Sequence, residues 1–197
     1  MDENVVGNCK TVPYSDCEVS MQRIRIHTSE IAEAAKTLRA GDKILLSGTV
    51  YTARDAAHKR IFAMLDNGEK LPFVLKNATV YYAGPTPTPP NLPIGACGPT
   101  TSSRMDVFAP RLLDLGLKCM IGKGGRSPEV VDAIKRNSAV YLCAIGGAGA
   151  LAAKCVRSLK ILAFPDLGCE SVKELQIEDF PLFTTIDCCG GSLFEVE

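Results

Sequence analysis

The sequence has no excess of charge of either sign. Its 197 residues include 22 lysines and arginines and 22 aspartates and glutamates, so the formal net charge is zero. Proteins that bind a polyanion usually carry a basic excess. The charge balance therefore does not suggest nucleic acid as a partner.

The sequence also lacks the spacings by which cysteine and histidine usually bind metal. It contains nine cysteines, yet they form no C-x-x-C pair and no Cys/His cluster of the zinc type. We interpret them as free thiols in a reducing cytosol, which predicts a cytoplasmic protein with no metal ligands of its own. The N-terminus has no charged-then-apolar signal. The uncharged run at residues 137–153 contains three glycines and is too short to span a membrane, so we expect no membrane partner.

The hydrophobic content is high enough for one domain of ordinary size, at 46% of the chain. Residues 1–20 show no sustained periodicity and predict a flexible N-terminal extension. Residues 21–197 predict a single domain. Strand-like runs alternate with helical patterns through its second half, which favours an α/β fold. The C-terminal part of the chain contains three further strand-like runs, at residues 172–177, 182–186 and 193–196.

A loop rich in hydroxyl groups is the main candidate for a binding site. It runs through Gly95–Ser103, ends in T-T-S-S, and is followed directly by Arg104 and an amphipathic run. Ser103 with Asp106 three residues later is a capping signature that predicts a helix start there. A helix start exposes backbone N–H groups and favours an anion. A capped helix start without a ligand is the competing interpretation.

A second loop, G-K-G-G-R at residues 122–126, follows a short apolar strand predicted at residues 118–121. Glycine loops that carry a lysine commonly bind anions. Because one helix separates the two loops, they are expected to converge at one sheet edge on a carboxylate or phosphate. The order of a phosphate-binding Walker loop is absent. The proline-rich stretch at residues 84–95 predicts an extended arm that leads to the first loop, or alternatively a linker.

Other motifs have a structural and a functional interpretation. Residues 147–152 match G-x-G-x-x-A, with Asp166 near the distance expected for a ribose ligand, so a dinucleotide site is formally possible. Tight packing of small residues is the favoured interpretation. Arg54 and His58 are four residues apart on a predicted helix and could form a surface ion-pair cluster with Asp55. Cys97, beside the first loop, is either a reactive thiol or a small loop residue.

Taken together, these segments resemble a known family. The motifs are S-G-T-x-x-x-A-R-D-x-A-H, G-x-x-G-P-T-T-S-x-R-M-D, M-I-G-K-G and A-I-G-G-A-x-A-L-A-A-K, with the tail L-A-F-P-D-L-G-C-E-S-V-K-E-L-Q-I-E-D-F-P-L-F. They are similar to the β subunit, or C-terminal domain, of iron–sulphur class I fumarate hydratases and L(+)-tartrate dehydratases. The resemblance implies a swivelling β/β/α domain with mixed sheets and flanking helices. It also implies a separate α subunit that binds the [4Fe–4S] cluster through three cysteines, in an α2β2 heterotetramer.

The resemblance also implies roles for individual residues. Arg54, Arg104 and Lys123 correspond to residues that hold the substrate carboxylates. Thr100 corresponds to the proposed proton-abstracting base, and Thr101 beside it to a substrate-binding residue. The remaining members of the A-R-D-x-A-H motif, Asp55 and His58, are expected to orient the arginine. Many family members have glycine where this chain has Ser103, which leaves the substrate open.

Three functions remain in view. The first is the β subunit of a hydro-lyase on a four-carbon hydroxy-dicarboxylate, with malate/fumarate ahead of tartrate/oxaloacetate. The second is a non-catalytic anion- or nucleotide-binding module. The third is a subunit that only stabilises a partner.

Overall fold

The fold is described here from a computed structural model that covers residues 23–194, so the extension predicted at residues 1–20 lies outside the described residues. Within residues 23–194 the chain forms seven strands and five α-helices, and the predicted α/β class is confirmed. The strands are β1 (Ile24–His27), β2 (Lys43–Thr52), β3 (Thr79–Tyr81), β4 (Cys119–Gly122), β5 (Val140–Cys143), β6 (Val156–Ala163) and β7 (Val172–Ile186). The helices are α1 (Ile31–Thr37), α2 (Asp55–Asp66), α3 (Ala109–Asp114), α4 (Pro128–Arg136) and α5 (Gly149–Lys154).

All seven strands belong to one mixed sheet, in the order β1-β2-β3-β4-β5-β7-β6. Strands β1 to β5 pair in parallel, whereas β7 runs antiparallel to β2, β5 and β6. Because β7 pairs with both β5 and β2, the sheet closes on itself through these strands. Because β2, β3 and β4 pair in parallel, their carboxyl ends lie at a common edge of the sheet, which we call the site edge.

The sheet buries both of its faces. Successive residues of a strand point to opposite faces, so each strand contributes to two separate hydrophobic cores. In β4, Cys119 and Ile121 belong to the first core and Met120 to the second. Residues of α1 and α5 pack in the first core, and residues of α2, α3 and α4 in the second. This two-sided burial explains why β4 and β5 are uninterrupted apolar runs in the sequence.

The helix predicted to start at Ser103 is not present. Ser102–Met105 form a short 3-10 turn without a side-chain cap, and α3 begins only at Ala109. Asp106 does not cap this turn, because its carboxylate binds groups of the loop after β4 instead. The long-range contacts of Asp106 with Arg126 and Ser127 therefore replace the local helix cap that the sequence predicted.

Two further boundaries differ from the prediction. The run of small residues after Gly146–Gly149 predicts a helix through Arg157, but α5 ends at Lys154 because β6 already begins at Val156. Val172–Ile186 forms one long strand rather than two, and Asp179, with φ of 48°, marks an irregularity within it. The strand predicted at residues 193–196 falls partly outside the described residues. No helix within residues 23–194 has the length and apolar character needed to cross a membrane.

Candidate active site

The candidate residues follow the carboxyl ends of neighbouring parallel strands. Arg54 comes two residues after β2, and Lys123 directly follows β4. The loop with Thr100 follows β3, after the proline-rich arm, and is held near the strand end by an isolated bridge between Ala83 and Pro99. Since ligands of parallel sheets bind at the carboxyl ends of strands, this is the expected edge for a site.

Backbone hydrogen bonds join the hydroxyl loop to the lysine loop. Ser102 donates its N–H to the carbonyl of Lys123 at 3.0 Å, and Lys123 donates its N–H to Ser102 Oγ at 3.1 Å. Thr101 forms a parallel bridge with Lys123. The hydroxyl of Tyr141 lies 2.9 Å from Ser102 Oγ. We call these contacts the seam. They confirm that the two loops converge.

The seam leaves polar groups free for a ligand. Thr100 is half-buried and donates its N–H to the carbonyl of Tyr82 at 2.7 Å, while Thr101 is exposed. Lys123 is half-buried, and its ammonium makes no ion pair or side-chain hydrogen bond with any residue of 23–194. Two threonine hydroxyls and an unpaired cation are therefore placed in adjoining loops.

Arg104 is held by the first residue of α2. Its Nε and Nη2 donate to the two carboxylate oxygens of Asp55, at 2.9 and 2.8 Å. Half of the Arg104 side chain remains exposed, against about a quarter of Asp55. The bidentate geometry fixes the plane of the guanidinium, and its remaining N–H groups stay available for an anion.

Arg54 is more enclosed than Arg104. Its Nη2 lies 3.3 Å from Glu170 Oε1 and 3.9 Å from the carboxylate of Asp55. Its Nε is buried and has no hydrogen-bond partner among the described residues. A Cβ on Gly84 would lie 2.9 Å from Arg54 Nη1, so a larger residue there would displace the guanidinium. Arg54 is thus packed between the arm and an acidic partner.

His58 lies behind Arg54 and is fully buried. Its Nδ1 is 2.8 Å from the carbonyl oxygen of Arg54, which requires Nδ1 to carry the proton and donate. The ring stacks on Phe108 and meets the edge of Tyr82. Burial lowers the pKa of His58 to about 4, because the charged form cannot be solvated there. His58 is therefore neutral near pH 7 and contacts the backbone of Arg54.

Arg126, the second cation of the G-K-G-G-R loop, is not available to a ligand. Its side chain is fully buried, and its Nε donates to Asp106 at 2.6 Å. The guanidinium lies over the rings of Tyr82 and Tyr141. The other oxygen of Asp106 accepts the N–H of Ser127 at 2.7 Å. Arg126 therefore anchors the loop, and Lys123 is the cation that the loop presents.

The G-x-G-x-x-A segment has a packing role. Strand β7 lies between β5 and β6, so the strands flanking α5 are not neighbours as a dinucleotide unit requires. A Cβ on Gly149 would lie 3.0 Å from the backbone nitrogen of Gly98, and Cys97 donates its N–H to the carbonyl of Gly149 at 2.9 Å. Asp166, the candidate ribose ligand, pairs with Arg60 instead.

Cys97 is a buried loop residue. Burial raises the pKa of its thiol to about 12, so the thiolate that a nucleophile needs is scarce at neutral pH. Its carbonyl accepts a hydrogen bond from the hydroxyl of Tyr81 at 2.6 Å. The small-residue interpretation is favoured over the reactive one.

The sequence of this chain is similar to sequences of known proteins. Residues 4–196 match the family model described as Fumarase C-terminus. The chain belongs to the fumarase C-terminal family. Fumarate hydratase 2 of Leishmania major is 42% identical over 156 residues, which cover 78% of this chain and 28% of that protein. The aerobic class I fumarate hydratase of Escherichia coli K12 is 40% identical over 155 residues, with the same two shares.

A third relative has a different extent. The putative L(+)-tartrate dehydratase subunit beta of Methanocaldococcus jannaschii is 39% identical over 166 residues, which cover 81% of this chain and 85% of that protein. The chain therefore spans about 28% of the fumarate hydratases named above but most of the length of this relative.

Two residues at the site edge of this fumarase C-terminal domain were not predicted from the sequence. Glu170 contacts Arg54 and the start of α2, and Lys173 is buried beneath the turn that carries Glu170. Both lie in the C-terminal segment that resembles the family. No periodicity or spacing links them to Arg54, because the contact is made only when β7 pairs with β2.

The described part of this family member does not form a metal site. Among residues 23–194, no three side chains of histidine, cysteine, aspartate or glutamate lie close enough together to hold a metal ion. Cys97 and Cys119 are buried in the first core. The residues described here therefore do not fit a [4Fe–4S] cluster as ligands.

Proposed function

We propose that this chain is the β subunit of a two-subunit iron–sulphur hydro-lyase that interconverts L-malate and fumarate. The observation that carries the proposal is the cationic site edge, where Arg54, Arg104 and Lys123 follow neighbouring strand ends beside two threonine hydroxyls. Family membership and the fumarate hydratase relatives support the reaction class.

The three cations are proposed to bind the two carboxylates of the substrate. Arginine grips a carboxylate through two parallel hydrogen bonds, and Arg104 has N–H groups left after its pairing with Asp55. Arg54 completes the charge needed for a dianion together with Lys123, whose ammonium pairs with no residue of 23–194. In this proposal Asp55 and His58 orient the arginines, and Thr101 contributes a hydroxyl to substrate binding.

Thr100 is proposed to remove the proton from C3 of malate. Its alkoxide takes the proton, the C–H electron pair forms the C2–C3 double bond, and hydroxide leaves C2. A threonine hydroxyl is a weak base, so neighbouring cations must stabilise the alkoxide. Lys123 is suited to this task, because the seam places its backbone beside that of Thr101 and Ser102.

A separate α subunit is proposed to hold the [4Fe–4S] cluster, in an α2β2 assembly. The cluster would act as a Lewis acid toward the leaving hydroxyl. This chain would then move toward the α subunit as a swivelling β/β/α domain. The relative named as a tartrate dehydratase subunit beta supports a separate partner chain.

Tartrate is the second candidate substrate. The relative that the chain matches over most of its length is named as a tartrate dehydratase subunit. The same cations suit tartrate, since both substrates are four-carbon hydroxy-dicarboxylates. The reaction class is therefore retained under either substrate.

The proposal is tested by anaerobic co-expression of the full chain with the candidate α subunit, followed by cluster reconstitution. Fumarate formation from L-malate is followed by absorbance, with L-tartrate in parallel. Arg104→Ala is expected to lower kcat/KM at least 100-fold, by loss of a bidentate carboxylate contact. Arg136→Ala is the matched control, because Arg136 makes the same bidentate pair with Asp114 at similar exposure, on α4.

Malate turnover that Arg104→Ala abolishes and Arg136→Ala preserves supports the proposal. Turnover of tartrate alone keeps the mechanism and changes the substrate. An intact complex with a full cluster that converts neither compound contradicts the proposal and favours the non-catalytic anion-binding module.

A further inference from the structure

A short turn before β7 carries an acidic residue to the site edge. Glu170 ends the 3-10 turn Pro165–Glu170, and only about a fifth of its side chain is exposed. Its Oε1 lies 3.3 Å from Arg54 Nη2, and its Oε2 accepts the N–H of Ala56 at 3.0 Å. One carboxylate therefore holds both the guanidinium of Arg54 and the first turn of the helix that follows it.

Glu170 is the main anchor of the Arg54 guanidinium. Asp55 is at 3.9 Å and already receives two hydrogen bonds from Arg104. Arg54 Nε has no partner among the described residues, and Gly84 packs against Nη1. The contact with Glu170 is the shortest ion pair of Arg54, so it sets the direction in which the remaining N–H groups point.

A buried lysine holds the turn in place. Lys173 is 5% exposed, and its ammonium shares three N–H groups among four acceptors: the carbonyls of Gly168, Cys169 and Ser171 at 3.0–3.1 Å and Ser171 Oγ at 2.7 Å. No carboxylate of residues 23–194 pairs with it. The backbone carbonyls of the turn compensate the charge of the Lys173 ammonium, and the shared ammonium keeps these carbonyls close together.

The turn needs such support because its backbone is irregular. Phe164, which precedes it, has φ of 57°, and Gly168 within it has φ of 57° and ψ of −115°. A second ion pair, between Arg60 of α2 and Asp166, ties its start to the same helix. The turn is thus fixed to α2 at both ends and to β7 from below.

We propose that Glu170 and Lys173 are positioning residues for substrate binding: Lys173 locks the turn, and Glu170 orients Arg54 toward a carboxylate of the substrate. This inference rests on the proposed function for Arg54. Neither residue is expected to touch the substrate. The pair deepens the proposed site by adding a support that reaches it from β7.

The key variant is Glu170→Gln, tested in the reconstituted complex of the full chain. Glutamine has the same shape and can still accept the N–H of Ala56, but it carries no charge for Arg54. We expect KM for the turned-over dicarboxylate to rise about tenfold with kcat changed less than threefold, because a binding contact shared by ground and transition states is weakened. Glu178→Gln is the control, since Glu178 forms an exposed ion pair with Arg157.

Lysine 173 is tested through Lys173→Met and Lys173→Arg. Methionine fills similar space without the ammonium, so we expect KM to rise about as much as in Glu170→Gln. Arginine keeps the charge and several donors, so it is expected to restore part of the affinity. Thermal melting of each variant accompanies the kinetics. If Glu170→Gln melts too low to assay, Glu170→Asp replaces it, with the same expected change in KM from the shortened reach.

A double variant separates positioning from general destabilisation. In an Arg54→Lys background, Glu170→Gln is expected to raise KM less than twofold further, because the residue it orients is gone. Additive losses would overturn the proposal. So would wild-type KM in Glu170→Gln.

Binding of succinate, measured by calorimetry on the same complex, distinguishes this proposal from the proposed function. Succinate affinity lowered about tenfold by Glu170→Gln, in a complex that turns over neither malate nor tartrate, supports the positioning role and rejects the reaction. Turnover that Glu170→Gln leaves unchanged rejects the positioning role and keeps the reaction. A complex without turnover or succinate binding rejects both.

Discussion

Residues 54 to 58 show how burial decides the chemistry of single side chains. Arg54 and Asp55 face the site edge, whereas His58 lies one turn along α2 beneath them. The sequence places all three on one helix but does not say which of them titrates near neutral pH. Burial lowers the pKa of His58 to about 4, which removes it from acid–base chemistry at pH 7.

The buried histidine makes the fold sensitive to acid. The unfolded chain protonates His58 near pH 6.5, whereas the folded chain does so only near pH 4. The unfolded state therefore binds more protons in this window, so the contribution of His58 is complete above pH 6.5 and is lost as the pH falls toward 4. We expect about 3 kcal/mol of stability to be lost over the window through this residue alone.

Urea unfolding at pH 7 and pH 5 measures this effect. His58→Phe keeps an aromatic ring against Phe108 and cannot be protonated, so its stability is expected to change less between the two pH values than that of wild type. Equal pH dependence in the two proteins would show that His58 is not the sensitive group.

Cysteine reactivity is a second property set residue by residue. Burial raises the pKa of Cys97 and of Cys119 to about 12, whereas Cys169 and Cys189 are exposed. We expect iodoacetamide at pH 8 to modify Cys169 and Cys189 within minutes and to leave Cys97 and Cys119 unmodified until the protein unfolds. Peptide mass spectrometry checks this order. Early labelling of Cys97 would restore the reactive interpretation of that residue.

At the scale of elements, the seam decides how two loops form one site. Each loop was recognisable in the sequence by its glycines, hydroxyl groups and lysine. Ser102, inside the T-T-S-S run, is the residue that joins them, because its Oγ accepts from Lys123 while its N–H donates to the same residue. Gly122 is required beside it, since a Cβ there would lie 1.8 Å from Ser102 Oγ.

Removal of the Ser102 hydroxyl tests the seam. Ser102→Ala leaves the half-buried Lys123 without an acceptor for its N–H and is expected to cost about 1–3 kcal/mol of unfolding free energy. The adjacent Ser103 is exposed, so Ser103→Ala is the control and is expected to stay within about 0.5 kcal/mol of wild type. Chemical denaturation of both variants supplies the comparison. A Ser102→Ala protein as stable as the Ser103→Ala protein would show that the seam contributes little.

At the scale of the whole molecule, closure of the sheet makes two cores depend on each other. Strand β4 supplies Ile121 to the first core and Met120 to the second, and both side chains are fully buried. Neither core can unfold without breaking the strands that the other core needs. We therefore expect one cooperative transition for the described domain.

Two large-to-small substitutions test this coupling. Ile121→Ala and Met120→Ala are each expected to cost about 2–5 kcal/mol, because each leaves a cavity in a close-packed core. Circular dichroism and tyrosine fluorescence should report the same midpoint in each variant. Val107→Ala, at a position that is 78% exposed, is the control. Separate midpoints for the two probes would mean that the cores unfold independently.

By itself, the sequence determined the α/β class, the positions of β4 and of most of β7, the two loops of the site edge and the family, because periodicity, glycine placement and long motifs are local properties. It failed at Ser103, where a local capping signal lost to the contacts that Asp106 makes with Arg126 and the Ser127 amide. The tertiary structure alone decided which cation is buried and which is free, and it alone placed Glu170 against Arg54. The physical reason is distance along the chain: burial and ion pairing depend on strands that meet only when β7 closes the sheet.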